Sequence, residues 1–320
     1  MLIVPETLID GLITPDDAYR VVEAVFSAMA AGQAENFPVV REALGEGRLY
    51  GFKSGIDRAG GVLGLKSGGY FPGNMARGLT NHQSTVFLFE PETGQATAMV
   101  GGNLLTALRT AAASAVSITH LARRDARVLG MVGAGHQAAF QLRAAAKVRD
   151  FDRVLGWNLH PEMLPRLAEA AADVGLPFEA VSLEELGARA DVIITITSSP
   201  AASLRDAHVR PGTHLACMGT DTKGKQEVEP ALLARASVFT DEVAQAVSIG
   251  EAQHAVAAGL LDAGAITPLG AVVNGAHPGR RSADEITLFD GTGVGLQDLA
   301  VAAEAVRRAV ERGLATEVAL

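Results

Sequence analysis

The chain has 320 residues, 48% of them hydrophobic and 20% charged, which excludes a disordered polymer and provides apolar mass for one large core or two smaller ones. Its 27 Lys and Arg against 36 Asp and Glu give a formal charge of −9, a field that repels polyanions and argues against nucleic acid as a partner. One cysteine, Cys217, excludes an intramolecular disulfide, argues against a cysteine-built metal site and suits a reducing cytoplasm.

The first residues carry no basic flank ahead of an apolar run, so no secretory signal is expected, and no apolar stretch reaches membrane-spanning length. A cytoplasmic protein with no membrane partner is the expectation. Thr14-Pro15-Asp16-Asp17 reads as a helix N-terminus, with Ala18, Val21, Val22, Phe26 and Met29 following at helical spacing. From about Leu49 to Met99, short apolar runs broken by glycine predict antiparallel strands, with Pro91-Glu92-Thr93-Gly94 as a hairpin connection.

An alanine-rich helix is expected after Thr110, and then strands alternate with helices. Strands are predicted at 127–132, 153–157, 191–197, 213–218 and 237–240, with helices at 136–147 and 161–172. Ser182-Leu183-Glu184-Glu185 has capping-box spacing for a further short helix. Such alternation implies a parallel sheet with crossover helices. A last amphipathic helix from about Leu296 is expected to pack back on the first domain. No internal repeat and no low-complexity tail is evident.

Val128 to Val132 runs into Gly133-Ala134-Gly135-His136-Gln137-Ala138, a Gly-x-Gly-x-x-Ala loop between a strand and a helix. In a dinucleotide fold Gly133 allows the tight turn, Gly135 lets backbone amides approach a pyrophosphate, and Ala138 lets helix and strand pack closely; an ordinary tight turn is the alternative. Asn158 falls where an acid usually meets the adenosine ribose, and Leu159 offers no charge to a 2′-phosphate, which favours NAD(H) over NADP(H). His160 is either a weak phosphate partner or a surface capping residue. Gly219 to Lys225 has the spacing of a phosphate-binding loop, but Gln226 stands where that loop needs a hydroxyl for magnesium. Asp221, just beyond a predicted strand, is placed either to exchange a proton with a substrate or to cap its loop. The eight histidines show no metal-ligand spacing, so no metal is expected.

Several segments together resemble the ornithine cyclodeaminase and mu-crystallin family. They are Gly64-Leu65-Lys66 with Pro72-Gly73-Asn74, Leu104 to Ala112, the Gly133 loop, Asp221 with Gly224-Lys225 and Glu227, and Glu285 to Asp290. The resemblance implies an α/β protein: a Rossmann-type doubly wound parallel sheet at 114–298, and a discontinuous α+β domain at 1–113 with 299–320 that binds substrate and forms a homodimer. It implies Arg41 and Arg109 as ligands of an α-carboxylate, Lys66 as the cation at the reacting carbon, and Asp221 as acid or base. For the cofactor it implies Thr110, Gly133, Gly135, His136, Gln137, Asn158, Thr197, Ser198, Met218 and Gly219.

Members of that family interconvert amino acids and imines by hydride transfer. A cyclodeaminase needs a carboxylate for a distal ammonium, in the region that here reads Tyr50-Gly51-Phe52-Lys53-Ser54-Gly55-Ile56-Asp57-Arg58. Lys53 and Arg58 have the sign for a second carboxylate instead. Asp57 cuts against this if it neutralises Arg58 or reaches the pocket, and Lys53 reads equally as an exposed turn residue. The expectation is NADH-dependent reduction of a small 2-imino acid, iminosuccinate to L-aspartate, with Lys53 as a further substrate ligand. Ornithine cyclodeamination, alanine dehydrogenation, ketimine reduction and ligand binding without catalysis are the alternatives.

Overall fold

The computed structural model describes residues 1–319. After β1 (Leu2–Val4) and α1 (Glu6–Leu12), α2 (Pro15–Ala30) starts where Thr14-Pro15 places it: Thr14 Oγ1 accepts from the Asp17 N–H and Asp17 Oδ2 accepts from the Thr14 N–H. Then come β2 (Ala34–Asn36), β3 (Val40–Gly45), β4 (Arg48–Asp57), β5 (Val62–Tyr70), β6 (His82–Phe89) and β7 (Ala96–Gly101). The β6–β7 hairpin turns through Gly94 at φ +71°.

The next helix, α3 (Asn103–Leu121), begins earlier than expected. Its first amides, on Asn103 and Leu104, donate to the Glu6 carboxylate at 3.1 and 2.7 Å, a cap supplied from 97 residues upstream that leaves no local signal. β8 (Val128–Val132), α4 (Ala138–Val148), β9 (Arg153–Trp157), α5 (Pro165–Asp173), β10 (Phe178–Ala180), α6 (Leu183–Arg189), β11 (Val192–Thr195) and β12 (His214–Cys217) continue the chain. The Ser182–Glu185 capping box is formed. α4 and α5 begin later than predicted, because residues 135–137 stay in the glycine loop and 161–163 form a 3₁₀ turn ahead of Pro165, which suits a first helical position. The remainder is α7 (Pro230–Arg235), β13 (Ser237–Thr240), α8 (Val243–Ala246), α9 (Ala252–Ala257), β14 (Thr267–Pro268), α10 (Leu269–Val273), β15 (Thr287–Asp290), α11 (Gly295–Glu311) and β16 (Thr316–Glu317).

Met1–Arg109 together with the chain from Val294 onward forms one compact unit, and Thr110–Gly293 forms a second. The second unit is a parallel sheet in the order β10-β9-β8-β11-β12-β15-β13-β14. β8 lies between β9 and β11, so the winding reverses there and the fold is doubly wound. Its core is aliphatic, built on residues such as Leu155, Ile193, Leu215 and Leu288.

The first unit is a sheet in the order β16-β1-β7-β6-β5-β4-β2, with β3 also on β4; it is antiparallel except where β1 pairs with β7. β4 and β5 correct the reading that the chain holds no repeat. Gly51-Phe52-Lys53-Ser54-Gly55 and Gly64-Leu65-Lys66-Ser67-Gly68 share one pattern, too short to stand out among 35 glycines. In the sheet the two copies run antiparallel, with Gly51 opposite Gly68, Lys53 opposite Lys66 and Gly55 opposite Gly64. Alternation puts all six on one face.

The missing side chains let α11 come down on that face. A Cβ on Gly55 would lie 3.0 Å from Leu296 Cγ, and one on Gly64 would lie 2.9 Å from Leu299 Cδ2 and press on the Phe87 carbonyl. Behind it, α2 holds α11 through Arg20–Glu304 at 3.1 Å and Arg308–Asp17. Gly64→Ala is therefore expected to cost about 1–3 kcal/mol in urea unfolding. Gly135→Ala, whose Cβ meets nothing within 4 Å, should cost less than about 0.5 kcal/mol.

Candidate active site

On the glycine face of β4 and β5, Lys53 and Lys66 are each only 6% exposed. Arg41 on β3 pairs with Gly51, which puts it on the same face beside Lys53. Burying ammonium groups this close requires a counter-charge. It comes from Asp298 in the first part of α11, fully buried, with both carboxylate oxygens 2.8 Å from Lys66 Nζ. Arg109 Nε donates to Asp298 Oδ1 at 3.1 Å and Arg109 Nη1 to Gln297 Oε1 at 3.3 Å; Thr106 Oγ1 is 3.3 Å from Lys66 Nζ.

Burial pushes the Lys66 ammonium down to about 8, with Asp298 opposing and Arg109 and Arg41 reinforcing the shift. Burial also pushes the Asp298 carboxyl up, but Arg109 and Lys66 outweigh it and hold it at about 2. The first unit thus brings Arg41, Lys53, Lys66 and Arg109 around one carboxylate. The two readings left open for Asp57 and Arg58 resolve away from this cluster: Asp57 Oδ1 accepts from the Gly60 N–H at 2.9 Å, and Arg58 pairs with exposed Glu35 at 2.8 Å. Lys53 lies in mid-strand, not in an exposed turn.

In the second unit the other expected residues gather at the carboxyl ends of parallel strands, where open α/β sheets bind ligands. Gly133 has φ +109°, and a Cβ there would sit 2.5 Å from the Ile196 carbonyl, so only glycine fits. Gly135 faces open space. A cavity of about 260 Å³ is lined by Ala134, Gly135, His136, Ala138, Ala139, Arg166 and Leu167. No side chain caps α4, and Gln137 Oε1 is buried without a hydrogen-bond partner among the described residues. Uncapped helix amides and an open glycine fit a bound pyrophosphate.

Asn158, expected at a ribose, spends its carboxamide within the protein: Oδ1 accepts from the Ala134 N–H at 3.1 Å and Nδ2 donates to the His160 carbonyl at 2.8 Å. Thr197 and exposed Ser198 follow β11, Met218 and Gly219 follow β12, and Thr110 is buried on α3. Asp221 is held by Lys225 at 3.0 Å, and Lys225 also donates to the Gly219 carbonyl.

The family model described as the ornithine cyclodeaminase/mu-crystallin family matches residues 5–313. This chain belongs to that family. Within it, the chain is 64% identical over 319 residues to iminosuccinate reductase from Paracoccus denitrificans, spanning 99% of each. The crystal structure of that iminosuccinate reductase in complex with NAD+ superposes with a TM-score of 0.96 at 63% identity, covering 100% of this chain and 99% of the other. Alanine dehydrogenase from Archaeoglobus fulgidus is 32% identical over 318 residues, 99% of this chain and 98% of its own.

Sequence reading missed three residues in this member of the family. Asp298 and Gln297 lie in a helix that was recognised only as amphipathic, and nothing local marks a carboxylate as the partner of Lys66, 232 residues away. Glu227 was noticed only as part of a motif. Fully buried, it accepts from Thr195 Oγ1 at 2.6 Å, from the Thr197 N–H at 2.6 Å and from the Gly219 N–H at 2.8 Å, tying the ends of β11 and β12 together. Burial pushes Glu227 up as well, and Glu251 beside it accepts from the Glu227 and Val228 amides.

Burial and then the Glu227 charge push Glu251 up to about 7. A folded-state value above the unfolded 4.5 means the folded state binds more protons between the two, so this stability is present at pH 4.5 and lost as pH rises through 7. The urea midpoint of the wild type should fall between pH 5.5 and 8, and Glu251→Gln should flatten that fall.

Proposed function

We propose that this chain reduces iminosuccinate to L-aspartate with NADH as hydride donor. The observation that carries the dicarboxylic substrate is the in-register Lys53–Lys66 pair, buried on one face with Arg41, in a chain so similar along its length to an iminosuccinate reductase. A cyclodeaminase would need a carboxylate for a distal ammonium, and Asp57 is occupied in its own turn.

In the overall reaction iminosuccinate, NADH and one proton give L-aspartate and NAD+. Bound NADH supplies the hydride to the imine carbon. Arg41 and Arg109 hold the α-carboxylate, their guanidinium forks matching its two oxygens. Lys66 meets the same end of the substrate and Lys53 the distal carboxylate. Asp221 relays the proton to the nitrogen as the carbon–nitrogen double bond becomes single. Gly133, Gly135, His136 and Gln137 cradle the pyrophosphate, with Arg166 as an additional cation. Thr110, Thr197, Ser198, Met218 and Gly219 complete the dinucleotide contacts.

Preference for NADH over NADPH follows from the second strand end. Asn158 and exposed Leu159 are uncharged, and Glu162 lies 3.6 Å from His160, where it would repel a 2′-phosphate. Val40, Leu44, Tyr50 and Phe52 are exposed apolar residues on β3 and β4, which supports a homodimer through the outer face of that sheet. Light scattering should give twice the chain mass, and Phe52→Glu should reduce it to the monomer.

The purified protein should oxidise NADH with oxaloacetate plus ammonium, form aspartate, and do so faster than with NADPH. Lys53→Met should lower kcat/KM for that substrate about 30-fold or more while changing the pyruvate-plus-ammonium rate less than about fivefold. Equal losses on both substrates would remove Lys53 from the distal carboxylate. Proline formed from ornithine without net NADH change would overturn the reductase reading.

A further inference from the structure

We propose that Asp298 is the positioning residue of the cationic site, its carboxylate locking Lys66 and Arg109 into adjacent places from the N-terminal part of α11. The inference rests on the imine-reductase reading and extends it to a residue that the substrate does not need to touch. Three elements converge on this one side chain: β5 brings Lys66, α3 brings Arg109 and Thr106, and α11 brings Asp298 itself. The helix is fixed in place before any ligand arrives. The Gly295 N–H donates to Asn36 Oδ1 at 2.9 Å, a Cβ on Gly295 would lie 2.8 Å from the Lys53 carbonyl carbon, and Leu296 and Leu299 fill the places left by Gly55 and Gly64. The carboxylate cannot retreat without lifting α11 from the sheet.

The charges facing Lys66 are Lys53 from β4, Arg41 from β3, Arg109 from α3 and Asp298 from α11, three cations against one anion. Removing the anion leaves Lys66 with burial and three like charges, all of which favour the neutral amine. A neutral Lys66 donates weakly to a carboxylate. Asp298→Asn keeps the size of the side chain and removes the charge, so the defect should depend on pH in a way that a packing defect does not.

The test compares the full-length wild type, Asp298→Asn and Asp298→Glu. With NADH, oxaloacetate and ammonium, kcat/KM of the wild type should decline above about pH 8, and the declining limb of Asp298→Asn should move at least about one pH unit to acid. Its loss should be about tenfold or more at pH 7.5 and severalfold smaller at pH 6. Imine supply is common to all three proteins and cancels in the comparison. Asp298→Glu should keep the wild-type limb at reduced amplitude.

A second readout needs no turnover. Acetic anhydride labelling of Lys66, followed by mass spectrometry against pH, should have its midpoint near 8 in the wild type and lower in Asp298→Asn. An unshifted limb with an unshifted labelling midpoint would overturn the proposal, as would a wild-type midpoint near the ordinary lysine value of 10.5 even if the variant failed to fold. Absence of wild-type turnover would count against the reductase reading alone, since the labelling measures Asp298 directly.

Discussion

Two ammonium groups on neighbouring strands cannot be buried side by side without an anion to face them, and the architecture of the first unit follows from that requirement. Lys53 and Lys66 sit opposite one another in the β4–β5 ladder, and Asp298 on α11 faces them. For the helix to deliver a carboxylate to the sheet surface, the sheet has to be bare around the lysines. The four glycines flanking them make it so, and Leu296 and Leu299 occupy the vacated positions. Each isolated feature is unfavourable: glycine weakens a strand and a buried lysine prefers to be neutral. Together they make a cationic cluster that is already desolvated and oriented, so that an anion meeting it would not bear the full cost of ordering it.

The second unit solves the complementary problem with buried acids. Glu227 gathers a hydroxyl and two backbone amides from the ends of β11 and β12, and Glu251 in turn accepts from the Glu227 and Val228 amides and from Thr220 Oγ1 at 2.5 Å. Burial raises both acids, so the loops that carry Thr197 and Gly219 are held by carboxyl groups that desolvation makes harder to ionise. At the β8 end the loop is held instead by Asn158, whose carboxamide reaches the Ala134 amide. The residue expected at the ribose spends its carboxamide supporting the glycine turn and the chain after β9.

Much of this was legible beforehand, for local reasons. Thr14-Pro15, the Ser182 box and the Gly133 loop each encode a boundary in a few adjacent residues, and each lies where expected. The elements that were misplaced depend on distant partners. α3 begins at Asn103 because Glu6 caps it, and the family segments pointed to Lys66 and Arg109 without the carboxylate between them. Lys53 could be read as a turn residue because glycine on both sides has the same composition as a turn; only pairing to the second copy of the pattern makes it a strand.

By itself, the sequence determined the doubly wound sheet, its dinucleotide loop, the family and the identity of the cations, because hydrophobic period, turn chemistry and motif spacing act over a few residues. Tertiary structure alone decided which face the lysines share and that the anion bonded to Lys66 is Asp298, 232 residues away along the chain. Charge pairing in a desolvated interior is set by distance in space, and separation along the chain carries no record of it.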